Sequence, residues 1–178
     1  MNKSAVKLII LFVISSFFTY KICEGAEFSD NFLEAVNVRS GWGDAPDFST
    51  IALDGRSFTL SSLRGKVILL NFWATWCPPC RGEIPDLIQL NNDYKTAGLA
   101  MVGVSLDNKP SVVREFVKKK RINYTILPIT KNISAKYNDI VGIPTTFIID
   151  KNGYIVKKYV GAVEKEILEK EIIRLLNK

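Results

Sequence analysis

The chain has 178 residues, 47% of them apolar and 24% charged, which suits one domain with a sizeable core. Its formal charge of +6 includes the lysines of the first 25 residues; beyond them 21 basic side chains face 17 acidic ones, too mild an excess to argue for nucleic acid. It contains no histidine, which excludes His-based triads and His-containing metal sites and leaves cysteine as the obvious redox-active side chain.

Residues 1–25 read as a secretory signal peptide. Lys3 and Lys7 form a positive start, and Leu8 to Tyr20 is an apolar core. That core is short for a membrane span, which needs about 20 residues. Cleavage after Gly25 would leave two small residues, Cys23 and Gly25, at the positions a signal peptidase reads. The alternative is an uncleaved N-terminal membrane anchor, with Lys21 reaching the headgroups. Tyr20 and Lys21 make a poor lipidation signal around Cys23. Three cysteines are an awkward number for an exported protein. Loss of Cys23 with the signal leaves Cys77 and Cys80 alone.

Residues 26–44 form a peripheral lead-in, in which Phe28, Phe32, Leu33 and Val36 have helix-like spacing. The main domain is expected over residues 45–178. Asp54-Gly55 signals a turn between strands at Phe48–Leu53 and Ser57–Leu60. Lys66–Trp73 is a short, nearly continuous apolar run and reads as a buried strand. A helix follows Cys77, with Ile84, Leu87, Ile88 and Tyr94 at helical spacing and Pro85 expected to kink it. Leu99–Leu106 is a second buried strand. Pro110 opens a helix whose apolar face is Val112, Val113, Phe116 and Val117. A short strand at Tyr124–Thr130 and a short helix near Ser134–Tyr137 come next. Thr145–Asp150 and Tyr154–Val160 form a hairpin around Lys151-Asn152-Gly153. A final helix carries Ile167, Leu168, Ile172, Leu175 and Leu176 as its apolar stripe. Strands alternating with helices, closed by a hairpin, indicate an α/β domain with a mixed sheet and helices on both faces.

Trp76-Cys77-Pro78-Pro79-Cys80 carries the chemistry. A CxxC where a strand passes into a helix is the sequence form of a dithiol/disulfide centre. Cys77 belongs at the helix N-terminus, where backbone N–H groups and the dipole favour a thiolate, the attacking species in exchange. Cys80, one turn on, can reach back and resolve a mixed disulfide. Pro78 and Pro79 lack N–H groups, so few local donors stabilise the Cys77 anion, and the site is expected to be a reductant. Half a zinc site is the other use of CxxC, but four ligands are missing their second pair, and no metal is expected. Ile143-Pro144, before a strand, suits a cis bond in a tight turn; an ordinary trans proline is the alternative, and the neighbouring CxxC unit favours cis. Glu83, one turn after Cys80, is either a proton-handling carboxylate facing the sulfur or a solvated helix residue. Trp73 is expected in the core and Trp76 at the docking surface beside Cys77. Lys118-Lys119-Lys120-Arg121 reads as a solvated helix end, and Arg81 as exposed and without a role.

Together these residues resemble the thioredoxin superfamily, and more narrowly its TlpA/ResA branch of exported thiol–disulfide oxidoreductases. The resemblance rests on Ala45-Pro46-Asp47-Phe48, Leu63-Arg64-Gly65-Lys66, Asn71 to Cys80, Glu83-Ile84-Pro85 and Gly142 to Phe147. It implies a thioredoxin-like fold, a central mixed β-sheet flanked by helices, with an N-terminal β-hairpin extension and a central insertion over Asn108–Tyr137. It implies that Cys77 is the nucleophile and Cys80 the resolving thiol. Trp76, Pro78, Pro79, Ile143 and cis-Pro144 would contact substrate, the Ile143 backbone pairing with a substrate strand. Asn71 stands where cytosolic thioredoxins carry a buried Asp, and Glu83 is the implied replacement. No cofactor is implied beyond the Cys77–Cys80 disulfide. The implied partners are protein dithiols and disulfides and a membrane thiol transporter as electron donor, in the bacterial periplasm or at the outer face of the cytoplasmic membrane. Branch members act in cytochrome c maturation or copper-site assembly. A disulfide-forming oxidase and a redox-independent peptide-binding module are the competing functions.

Overall fold

The run that ends at the CxxC motif is the middle of the sheet. β3, Val67–Trp73, is buried at every residue, because β-branched and large apolar side chains project from both of its faces. The computed structural model describes residues 43–178. The signal or anchor, and the lead-in up to residue 42, lie outside the described residues.

A small antiparallel hairpin, β1 (Ser49–Ile51) and β2 (Ser57–Thr59), comes first, with Ser49 opposite Thr59. A short 3-10 turn, Leu60–Leu63, leads into β3. Then follow α1 (Pro78–Tyr94), β4 (Leu99–Ser105), α2 (Pro110–Lys120), β5 (Thr125–Pro128), α3 (Lys131–Lys136), β6 (Thr145–Ile149), β7 (Ile155–Val160) and α4 (Lys165–Leu176). The main sheet has the order β5-β4-β3-β6-β7. β3, β4 and β5 are parallel; β6 runs antiparallel to β3, and β7 runs antiparallel to β6. Ahead of the hairpin, Asp44 pairs with Tyr154 beside β7.

Alternation along β3 divides the molecule. Ile68, Leu70 and Phe72 point to one face and pack with Phe48, Tyr137 and Phe147 in an aromatic cluster covered by the hairpin and α3. Val67 and Leu69 point to the other, against Leu87 and Leu90 of α1 and Leu168, Ile172 and Leu175 of α4. Trp73 continues this second face and meets Ile84 of α1, Val113 of α2 and Ile126 of β5. Gly103 of β4 has no room for a side chain unless its neighbours shift: a Cβ there would lie 2.8 Å from Ile126 Cδ1 and 2.9 Å from Trp73 Nε1.

The expected mixed sheet with helices on both faces is the observed one, as are the hairpin and both long apolar strands. Three details differ: the start of α3 and the exposure of Val112 and of Ile167. α3 begins at Lys131, three residues before the helix read from sequence, because the Thr130 hydroxyl caps it by accepting from Ile133 N–H. Pro85 lies within α1, which runs on through Tyr94. Pro85 and the residue one turn before it, Arg81, lie on the exposed side, so the Arg81 carbonyl that loses its partner faces water. Val112 is 45% exposed and Ile167 44%, so neither belongs to the buried stripe of its helix. Both sit at the margin of an apolar arc narrower than their spacing suggests.

Candidate active site

β3 ends at Trp73, and three residues later the chain turns into α1. Cys77 is the N-cap, with extended backbone, and Pro78 and Pro79 fill the first two helical positions, where no N–H is required. Asp107 holds this turn from the end of β4. Its Oδ2 accepts from Thr75 N–H at 2.9 Å and from the Ser105 hydroxyl at 2.7 Å. Its Oδ1 accepts from the Thr75 hydroxyl at 2.5 Å. The Trp73 carbonyl accepts from Leu106 N–H at 2.8 Å, so the ends of β3 and β4 are joined on both sides of the turn.

Cys77 and Cys80 form a disulfide with their Cα atoms 5.3 Å apart. Both residues are buried, Cys80 completely, while Pro78, Pro79 and Trp76 are exposed. Trp76 is 64% exposed, in contrast to Trp73 at 1%. Across from the sulfurs lies the loop before β6. Its Ile143–Pro144 peptide bond is cis, and the Ile143 carbonyl oxygen is 3.7 Å from Cys77 Sγ. In the disulfide that sulfur carries no proton, so this is a contact rather than a hydrogen bond. The Cys80 N–H does donate to Cys77 Sγ, at 3.3 Å. One local amide therefore faces the sulfur. The two prolines supply none, but the first amide after them is aimed at the sulfur, because an N-cap side chain lies over the N–H of the third helical residue.

Glu83 is not a solvated helix residue. It is 5% exposed and turned onto the sheet, where its Oε1 accepts from Asn71 Nδ2 at 2.8 Å. The same Asn71 amide donates to the Thr146 hydroxyl at 2.9 Å, linking α1, β3 and β6 beneath the reactive turn. Among the described residues, Glu83 Oε2 has no hydrogen-bond partner. Burial pushes the Glu83 carboxyl up to about 7; the Asn71 bond opposes the shift, and the nearby Asp86 charge adds to it. The Tyr124 hydroxyl is raised as well, by burial first and then by the Glu83 charge, so the two groups are within electrostatic reach.

Every residue read from sequence as part of the site lies in this region: Cys77 and Cys80 bonded, Ile143 and Pro144 facing them, Trp76, Pro78 and Pro79 at the surface, and Glu83 one turn deeper. Asp107, Thr75, Thr146 and Tyr124 were not singled out. The legible signals were polar residues on otherwise apolar strands, Thr145-Thr146 in β6 and Ser105 at the end of β4, with Asp107 just beyond.

Sulfur exchange needs a cysteine pair at the mouth of a rigid strand–helix joint, open to a second polypeptide on one side, and this fold provides it: the chain is a thioredoxin-fold protein thiol–disulfide oxidoreductase of the TlpA/ResA type. Residues 42–174 match the Redoxin family, and the chain belongs to that family. It is 39% identical over 139 residues to the thioredoxin-like protein YneN of Bacillus subtilis, covering 77% of this chain and 81% of that protein. It is 32% identical over 169 residues to the thiol-disulfide oxidoreductase ResA of Bacillus cereus, covering 94% of each. A solved structure of a thiol:disulfide interchange protein from Chlorobium tepidum superposes with a TM-score of 0.71 at 35% identity, over 75% of this chain and 95% of that one.

Proposed function

We propose that this protein reduces disulfides in exported proteins. The observation that carries the direction is the setting of Cys77 Sγ: one backbone donor, the Cys80 N–H, on one side, and the Ile143 carbonyl oxygen on the other. A lone pair aimed at the sulfur disfavours an anion there. A thiolate stabilised so sparingly makes the dithiol a good electron donor, since strong oxidants depend on a highly stabilised thiolate.

In the reduced enzyme, the Cys77 thiolate attacks one sulfur of the substrate disulfide. That S–S bond breaks, a mixed disulfide forms, and the first substrate sulfur leaves as a thiolate that takes a proton. Cys80 then gives its proton to the Glu83 carboxylate and attacks Cys77 Sγ, releasing the second substrate thiolate. Two electrons pass to the substrate, and the enzyme is left with the Cys77–Cys80 disulfide. Glu83, with a carboxyl near 7, is half ionised at neutral pH and suited to both accepting and returning a proton. The Ile143 backbone pairs with the substrate strand beside the sulfurs, and Trp76 covers its exposed side. An external dithiol must recharge the enzyme; a membrane thiol transporter fits an exported chain whose residues 1–25 direct or anchor it. Apocytochrome c and copper-site assembly proteins are the candidate substrates.

Cys80→Ser removes the resolving sulfur, and this variant is expected to accumulate Cys77-linked mixed disulfides with exported proteins, separable on non-reducing gels. Recovery of no covalent partner overturns the exchange reading. Redox titration of the purified protein decides direction: a potential near the roughly −120 mV of a strong oxidant would assign it to disulfide formation instead.

A further inference from the structure

Beside the reactive turn, α1 and α2 enclose a surface groove of about 640 Å³. Its lining includes Thr75 and Pro78, the residues flanking Trp76 and Cys77, so it reaches the reactive turn. Its apolar lining is Val112, exposed at 45%, and the half-buried Phe116. Arg81 of α1 and Lys119 and Lys120 of α2 supply three positive charges, against one carboxylate, Glu115. Among the described residues none of these three cations has an ion-pair or hydrogen-bonding partner, although four ion pairs form elsewhere on the same body. A solvated helix end explains why lysines are tolerated at the end of α2. It does not explain why two of them share a concavity with Arg81 of another helix and with an exposed valine.

We propose that this groove docks an acidic segment of the substrate protein, with carboxylates meeting Arg81, Lys119 and Lys120 and aliphatic groups covering Val112 and Phe116. The proposal rests on the reductase reading above and adds a substrate class to it: proteins whose cysteines are flanked by an acidic stretch. Opposite charges at a site's rim speed encounter and select among partners. The groove is concave and reaches the turn that a substrate must touch, which suits a polypeptide better than a flat lipid surface.

The test uses two synthetic peptides, each closed by one CxxC-type disulfide and differing only in whether three glutamates or three lysines flank it. The reduced wild-type protein is expected to turn over the glutamate peptide with a KM about fivefold or more below that of the lysine peptide at low salt, with the gap closing at about 0.5 M salt as screening takes hold. Lys119→Glu combined with Lys120→Glu should abolish or invert that ratio. Both side chains are exposed, and a melting curve shows whether the variant is folded; if it is not, the wild-type salt series decides alone. Equal KM values for the two peptides in the wild type, or a ratio unchanged in the folded variant, overturn the docking groove while leaving the reductase intact. Turnover of neither peptide removes both. Equal KM values together with binding to phosphatidylglycerol vesicles, lost in the double variant, would give the patch to a membrane surface instead.

Discussion

Glu83→Gln is the most informative single substitution, because it separates a buried titrating carboxyl from a buried polar group of the same shape. The Glu83 carboxyl is raised from 4.5 to about 7 by burial. An acid whose folded pKa exceeds its unfolded value binds its proton more tightly in the folded state. Its favourable contribution is fully present below 4.5 and is lost as the pH rises through 7. A shift of that size corresponds to about 3 kcal/mol in total, and about 2.5 kcal/mol of it falls between about pH 5 and about pH 8. Glutamine keeps an acceptor for Asn71 Nδ2 and does not titrate. Urea unfolding of the oxidised protein, in which neither Cys77 nor Cys80 ionises, isolates the effect. The stability difference between variant and wild type should move in the variant's favour by about 2.5 kcal/mol across that interval. A difference that stays constant to within about 0.5 kcal/mol would show that Glu83 titrates as an ordinary exposed carboxyl, and the role proposed for it as proton acceptor for Cys80 would fall with it.

Gly103→Ala should destabilise the protein by about 1–3 kcal/mol in denaturant melts, since the new methyl must displace Ile126 and the Trp73 indole. Asp107→Ala should cost about 2 kcal/mol, because the Thr75 N–H, the Thr75 hydroxyl and the Ser105 hydroxyl all lose their acceptor. Thermal unfolding measures it, and Thr75→Ser, which keeps both Thr75 donors, should stay close to wild type.

Local pattern made much of this molecule legible. β3 and β4 announce themselves as apolar runs, the CxxC names its own chemistry, and Asn71 stands out as a polar residue inside a buried strand. The sequence hid whatever depends on register. Asn71 meets Thr146 across 75 positions and Thr75 meets Asp107 across 32, and neither pair exists until β3 is aligned with its neighbours. The donor to Cys77 Sγ escaped for a different reason: counting the prolines removes two amides but does not show where the third one points. Val112 and Ile167 satisfy helical spacing and still face outward, because spacing gives the direction of a stripe and not its width.

The alternation of β3 has a consequence for folding errors. Sliding this strand by a single position would thrust an amide among the rings around Phe72 and set a phenyl ring against the Glu83 carboxylate. Either mistake is expensive, and they come together. The protein is thereby protected from a misaligned form that retains its cysteine pair: a chain that has closed its core correctly has, by the same act, brought the Asn71 amide to the buried Glu83 carboxyl.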